Sequence, residues 1–119
     1  MKLPFVIDLN GKTAVVTGGG GILCGTFAGA LAKCGAKVAV LDLVKEKADA
    51  VAEEIRETGG MAIGIEADVL SPESLKNARE KVNKEFGPCD VLINGAGGNH
   101  PKGTTAKEFL GADDIESKE

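Results

Sequence analysis

The 119-residue sequence contains no tyrosine and no tryptophan, and only four phenylalanines. The missing tyrosine leaves the chain without a phenolic acid or base for any reaction that needs one. There is no cluster of basic residues, and the formal net charge of −4 argues against nucleic acid as a partner. No uninterrupted apolar segment reaches membrane-spanning length, which argues against a membrane partner. The apolar run near Met1 is broken at Asp8, too early for a signal peptide. Cysteine is scarce: Cys24, Cys34 and Cys89 are odd in number and scattered. They form neither a disulfide framework nor a ligand spacing, so no metal site is expected, and reduced thiols in a cytoplasmic protein are.

Glycine is in excess. There are 17, about twice average usage, clustered at 18–21, 59–60 and 95–98. Four of them, Gly18, Gly19, Gly20 and Gly21, follow the apolar run Ala14-Val15-Val16 and precede a helix-like pattern that starts near Ile22. Consecutive glycines supply no side chain to a core and lose more backbone entropy than other residues. A chain tolerates them where its backbone must approach something closely. Between a strand and a helix the common guest is a phosphate, met by unpaired N–H groups at the positive end of the helix. A ligand-free flexible loop is the alternative.

The rest of the chain alternates strand and helix patterns. Strands are predicted over 12–17, 37–41, 61–66 and 91–94, the third weakened by Gly64. The first helix carries Leu23, Phe27, Leu31 and Cys34 at helical spacing, and Gly35 stands where a C′ glycine would end it. The second, from Lys45 to Thr58, has an inner stripe of Val44, Ala48, Val51, Ala52 and Ile55. Glu46, Lys47, Glu53, Glu54 and Arg56 solvate its outside. The third opens at Ser71-Pro72-Glu73, with Ser as N-cap and Pro at the first position, and turns Leu75, Ala78, Val82 and Phe86 inward. Short links between alternating elements predict a parallel sheet with right-handed crossovers.

Asp42 ends the second strand, 24 residues after Gly18. In a dinucleotide fold this position meets the adenosine ribose, whose hydroxyls a carboxylate accepts, and the same carboxylate repels a 2′-phosphate. Leu43 beside it supplies no compensating cation. The alternative is that Asp42 caps the second helix. A polar group past the fourth strand, Asn99, His100, Lys102 and Thr104, reads either as a substrate-carboxylate contact through His100 or Lys102, or as an exposed loop set by Pro101.

From about Asn10 to Gly97 the chain resembles the N-terminal half of the short-chain dehydrogenases/reductases. Thr17-Gly18 match the start of that family's T-G-x-x-x-G-x-G loop, Asp68-Val69 match its adenine-side position, and Asn94-Gly95-Ala96-Gly97 match its N-N-A-G stretch. Ile22 and Cys24 stand where the loop has its second and third glycines, and Gly95 stands where the later stretch has its second Asn. A Cβ at position 22 narrows the approach of a pyrophosphate. A smaller branch, containing sugar-acid oxidoreductases, resembles both this loop and the run over 92–105.

The resemblance implies an α/β Rossmann-type parallel sheet, strand order 3-2-1-4, with helices on both faces and truncated after strand four. Residues 1–119 would be the N-terminal part of one NAD-binding domain, with its core over 11–98 and a loop and polar tail over 99–119. The implied cofactor is NAD, held by Gly18, Gly19, Gly20, Gly21, Ile22, Asp42, Asp68, Val69, Asn94, Gly95 and Ala96. The implied substrate is a small sugar acid, and the complete enzyme is expected to be a homo-oligomer. The family's catalytic Tyr, with a Lys four residues later, lies beyond strand four, so no catalytic residue is expected in this chain. A non-catalytic nucleotide-binding or interaction module is the rival expectation.

Overall fold

Thr13-Ala14-Val15-Val16-Thr17 offers no alternation of polar and apolar side chains, and in the structure all five are buried. A strand covered on both faces must lie inside a sheet with layers above and below it. The computed structural model describes residues 4–98. It runs β1 (Thr13–Thr17), α1 (Ile22–Lys33), β2 (Lys37–Asp42), α2 (Lys45–Glu57), β3 (Met61–Glu66), α3 (Pro72–Glu85) and β4 (Val91–Asn94). All neighbouring strands pair in parallel, in the order β3-β2-β1-β4. Val15 sits beside Ala39 on one side and Leu92 on the other.

The two faces are separate cores. Ala14, Val16, Val38, Val40 and Ala62 meet Ala28 of α1 and Ala48, Ala52 and Ile55 of α2. Val15, Ala39, Leu41 and Ile65 meet Ala78 and Val82 of α3. Burying each of the central valines, Val16, Val38 and Val40, contributes roughly 1.5–3 kcal/mol. Because α1 and α2 cover one face and α3 the other, the chain reverses direction between β3 and β4. The reversal puts β1 and β4 side by side, and the crossover that leaves β1 and the one that enters β4 lie on opposite faces of the sheet.

Helix ends follow local chemistry. Ser71 caps α3 by accepting the Ser74 N–H at 3.2 Å, with Pro72 in the first turn. Gly35 takes φ +98° just past α1, a left-handed conformation that other residues avoid. Its missing side chain makes room for Asn10, and Leu9 N–H donates to the Cys34 carbonyl at 2.7 Å, tying the lead-in to the end of α1. Gly64 lets the backbone of α2 at Ala48 and Asp49 lie directly on β3, so the predicted weak point is a close-packing point.

The inward face of α1 differs from the expected one. Leu23 and Phe27 are 66% and 41% exposed, while Cys24, Ala28, Leu31 and Ala32 pack on the sheet. The helix is apolar nearly all round, so spacing alone admits either stripe. Its approach to the sheet and to Val51 of α2, which lies 3.3 Å from where a Gly25 Cβ would stand, admits only small side chains. In α3, Leu75 is likewise 37% exposed, and the buried pair is Ala78 and Val82. Val44 precedes α2 as its N-cap and is exposed.

Candidate functional site

The C-terminal ends of all four strands open into one cleft of about 710 Å³. Its lining comes from the exit of β1 (Gly18, Gly21), of β2 (Leu41, Asp42, Leu43), of β3 (Ala67, Asp68, Val69, Leu70) and of β4 (Gly95 to Gly98), with Lys47 from α2. Ligand crevices of open α/β sheets lie at this end, beside the strand-order reversal.

Gly18 has φ +63°, and a Cβ on it would come within 2.7 Å of the Gly95 carbonyl oxygen. Glycine here lets the β1 and β4 loops touch. Thr17, buried just before it, accepts the N–H groups of Gly95 at 3.1 Å and Ala96 at 3.2 Å through Oγ1. The threonine hydroxyl therefore holds the β4 loop against the glycine loop. Sequence reading matched Thr17 to a pattern but assigned it no role; a hydroxyl closing an apolar strand before a glycine was the available signal.

The three following glycines have their N–H groups committed inside the protein. Gly19 donates to the Leu41 carbonyl at 3.0 Å, Gly20 to Asp42 Oδ2 at 3.0 Å, and Gly21 to the Gly18 carbonyl at 3.2 Å. Side chains are excluded at two of them by packing. A Cβ on Gly19 would stand 2.8 Å from Val40 Cγ1, and one on Gly20 would stand 2.6 Å from Lys47 Cβ. The unclaimed donors come next. The N–H groups of Ile22, Leu23 and Cys24 in the first turn of α1 have no partner among the described residues, and Gly21 provides no side-chain cap. The first turn contains no acidic residue, so the positive end of α1 is left uncompensated. The Ile22 side chain is 95% exposed.

Asp42 does two things at once. Oδ2 accepts the Gly20 N–H, and Oδ1 accepts the Val44 N–H at 2.9 Å, just before α2. The carboxylate is pinned by both bonds at the rim of the cleft, joining the glycine loop to the start of α2. Asp68 is set similarly on the opposite wall: its N–H donates to Ser74 Oγ at 2.9 Å, and its Oδ1 accepts the Leu70 N–H at 2.9 Å.

Of the residues singled out in the sequence, Gly18, Gly21, Asp42, Asp68, Val69, Gly95 and Ala96 share the cleft. Gly20 and Ile22 border, with Gly21, the adjoining groove between α1 and α2. Gly19 lies beneath the loop against Val16 and Val40. Asn94, whose β1 neighbour is Thr17, lines a groove on the α3 face with Leu92. His100 and Lys102 lie outside the described residues. Lys47, read from the sequence as part of a solvated face, instead borders the cleft; nothing in its spacing marked it. Among the described residues no three His, Cys, Asp or Glu side chains gather closely enough to hold a metal ion. No helix among them is long and apolar enough to cross a membrane.

Comparison with known proteins agrees with this geometry. The family model for short chain dehydrogenases matches residues 12–117. The chain is 50% identical over 106 residues to an uncharacterized oxidoreductase, UxuB, of Bacillus subtilis, covering 89% of this chain and 38% of the relative. It is 35% identical over 96 residues to 7alpha-hydroxysteroid dehydrogenase of Escherichia coli, covering 81% and 38%. Among solved structures, a Haemophilus influenzae protein provisionally assigned as a D-mannonate oxidoreductase, with NAD bound, superposes with a TM-score of 0.78. That pair is 45% identical, over 93% of this chain and 39% of the other. The chain thus spans about two fifths of the length of these relatives. The match begins just before β1, passes through every loop that lines the cleft and continues beyond β4, and the chain belongs to the short chain dehydrogenase family.

Proposed function

We propose that this chain is the cofactor-binding half of a NAD-dependent oxidoreductase that interconverts a sugar acid, such as D-mannonate, and its keto form. The observation that carries the proposal is the pairing, at one cleft, of a pinned carboxylate with open helix N–H groups. A dinucleotide needs both: acceptors for ribose hydroxyls and donors for pyrophosphate oxygens. Asp42 takes the adenosine ribose and disfavours a 2′-phosphate. Ile22, Leu23 and Cys24 donate their N–H groups to the pyrophosphate, while Gly18, Gly19, Gly20 and Gly21 bring the helix end close enough for contact. Asp68 and Val69 flank the adenine. Asn94, Gly95 and Ala96 border the nicotinamide side, and His100 and Lys102 hold the substrate carboxylate. The cofactor, when bound, supplies hydride transfer at its nicotinamide; the protein supplies position and electrostatics. The bound NAD in the Haemophilus relative supports the choice of cofactor, and its provisional assignment supports the substrate class.

With no tyrosine, this chain by itself is not expected to turn over substrate. Isothermal titration with NAD and NADP tests the binding half of the proposal, with tighter NAD binding expected. Failure to bind NAD overturns it. A second reading, a non-catalytic nucleotide-binding module, draws on Ile22 and Cys24 standing where the family loop has glycines. Turnover of D-mannonate with NAD by the complete protein supports the first reading. Nucleotide binding without turnover of any sugar acid supports the second.

A further inference from the structure

Lys47 is the third residue of α2, and its stem passes directly over the backbone of Gly20, so closely that a Cβ there would meet Lys47 Cβ. Lys47 and Gly21 are the two residues that border both the cleft and the groove between α1 and α2. Lys47 therefore stands on the ridge between them, next to the first turn of α1. The other charged groups lining the cleft are both acids, Asp42 and Asp68. Local folding gives little reason for a lysine here. A cation in the first turn of a helix opposes the helix dipole. The neighbouring Lys45 offsets this by pairing with Asp49 at 2.5 Å and donating to the Gly64 carbonyl at 3.3 Å. Among the described residues the Lys47 side chain has no ion pair and no hydrogen bond.

We propose that Lys47 is a further cofactor-binding residue whose ammonium reaches across Gly20 to a phosphate of the dinucleotide. The proposal rests on the reading of the cleft as a NAD site. Asp42 accepts hydroxyls and repels phosphate; Lys47, on the same rim, is a point charge suited to phosphate. The phosphate is either part of the pyrophosphate, present in both cofactors, or the 2′-phosphate of NADP.

The test uses the 119-residue chain and its Lys47→Met and Lys47→Arg variants, titrated calorimetrically with NAD, NADP and adenosine at low ionic strength, with far-UV circular dichroism to confirm the fold. Lys47→Met is expected to weaken NAD by about fivefold to tenfold, the effect of one charge-assisted contact, and to leave adenosine unchanged. Lys47→Arg retains most of the affinity, and added salt narrows the gap between wild type and Lys47→Met. A loss confined to NADP supports the proposal and assigns the phosphate to the 2′ position. Equal weakening of adenosine overturns it in favour of simple packing on Gly20, as does unchanged affinity for both dinucleotides. A wild-type chain that binds no NAD overturns the reading of the cleft and this proposal with it.

Discussion

A Gly95→Ala substitution tests the junction of the β1 and β4 loops with a single added carbon. The new Cβ would fall on Cys24 Sγ, 3.3 Å from Cys24 Cβ and 2.8 Å from the Thr17 carbonyl oxygen. The thiol can rotate away, at about 0.5–1.5 kcal/mol for an unfavourable rotamer. The carbonyl belongs to β1 and cannot move without disturbing the sheet. Overpacking of this kind costs about 1–3 kcal/mol, and with a fixed backbone on one side the upper half of that range is expected. Cys24→Gly removes the movable partner but puts glycine in the first turn of α1, costing about 1 kcal/mol. The double variant should recover about 1 kcal/mol relative to the sum of the two, because only the sulfur contact is relieved. Urea unfolding followed by far-UV circular dichroism measures all four proteins; with no tryptophan or tyrosine, intrinsic fluorescence is no substitute. Additivity of the single effects to within about 0.5 kcal/mol would refute the reasoning. Since Gly95 and Ala96 line the cleft, NAD affinity should fall in Gly95→Ala and recover partly in the double variant.

Asp42→Ala should erase the NAD-over-NADP preference, a discrimination on the order of 1–3 kcal/mol, and should also lower stability by about 1–3 kcal/mol because it orphans the part-buried Gly20 N–H. Calorimetry showing an unchanged preference counts against the ribose role. Gly20→Val should abolish nucleotide binding by driving a branched side chain into Lys47 and Asp42; a folded variant that still binds NAD tightly would show that the loop does not form this seat. Ser71→Ala should cost about 1 kcal/mol in thermal or urea unfolding through loss of the α3 cap, with NAD affinity unaltered. The outer edge of β4 is unpaired among the described residues and Leu92 beside it is 54% exposed, so size-exclusion over a concentration series should show association, reduced by Leu92→Lys.

Much of the fold was legible in the chain because its signals are local. The continuous apolar runs of β1 and β2, the Ser71-Pro72 start of α3 and the positive-φ glycine at 35 each act within one turn or one strand. The strand order came with the family resemblance, and the right-handedness of each crossover then puts α1 and α2 on one face and α3 on the other. The expected face of α1 failed because a helix apolar on all sides has no periodicity to read, and what enters the core is decided by how closely the sheet and α2 approach.

The candidate site divides in the same way. The glycines and Asp42 were visible because residue type and spacing set which strand end each occupies, whereas Asp68 was visible only through the family resemblance. Which atoms they meet is a matter of distances between loops far apart in the chain. The N–H groups of Gly19, Gly20 and Gly21 looked free to hold a phosphate, yet the sheet and Asp42 claim them, and the open donors move to Ile22, Leu23 and Cys24. Cys24 and Gly95, two unrelated departures from the family pattern when read along the chain, share one volume in space. Lys47 reads as one more solvated charge until folding lays its stem across Gly20. Local sequence determined the elements and their order, since short-range sterics and hydrogen bonding act on neighbours. Only tertiary packing, which sets separations between residues 20 to 80 positions apart, decided which donors and charges the cleft presents.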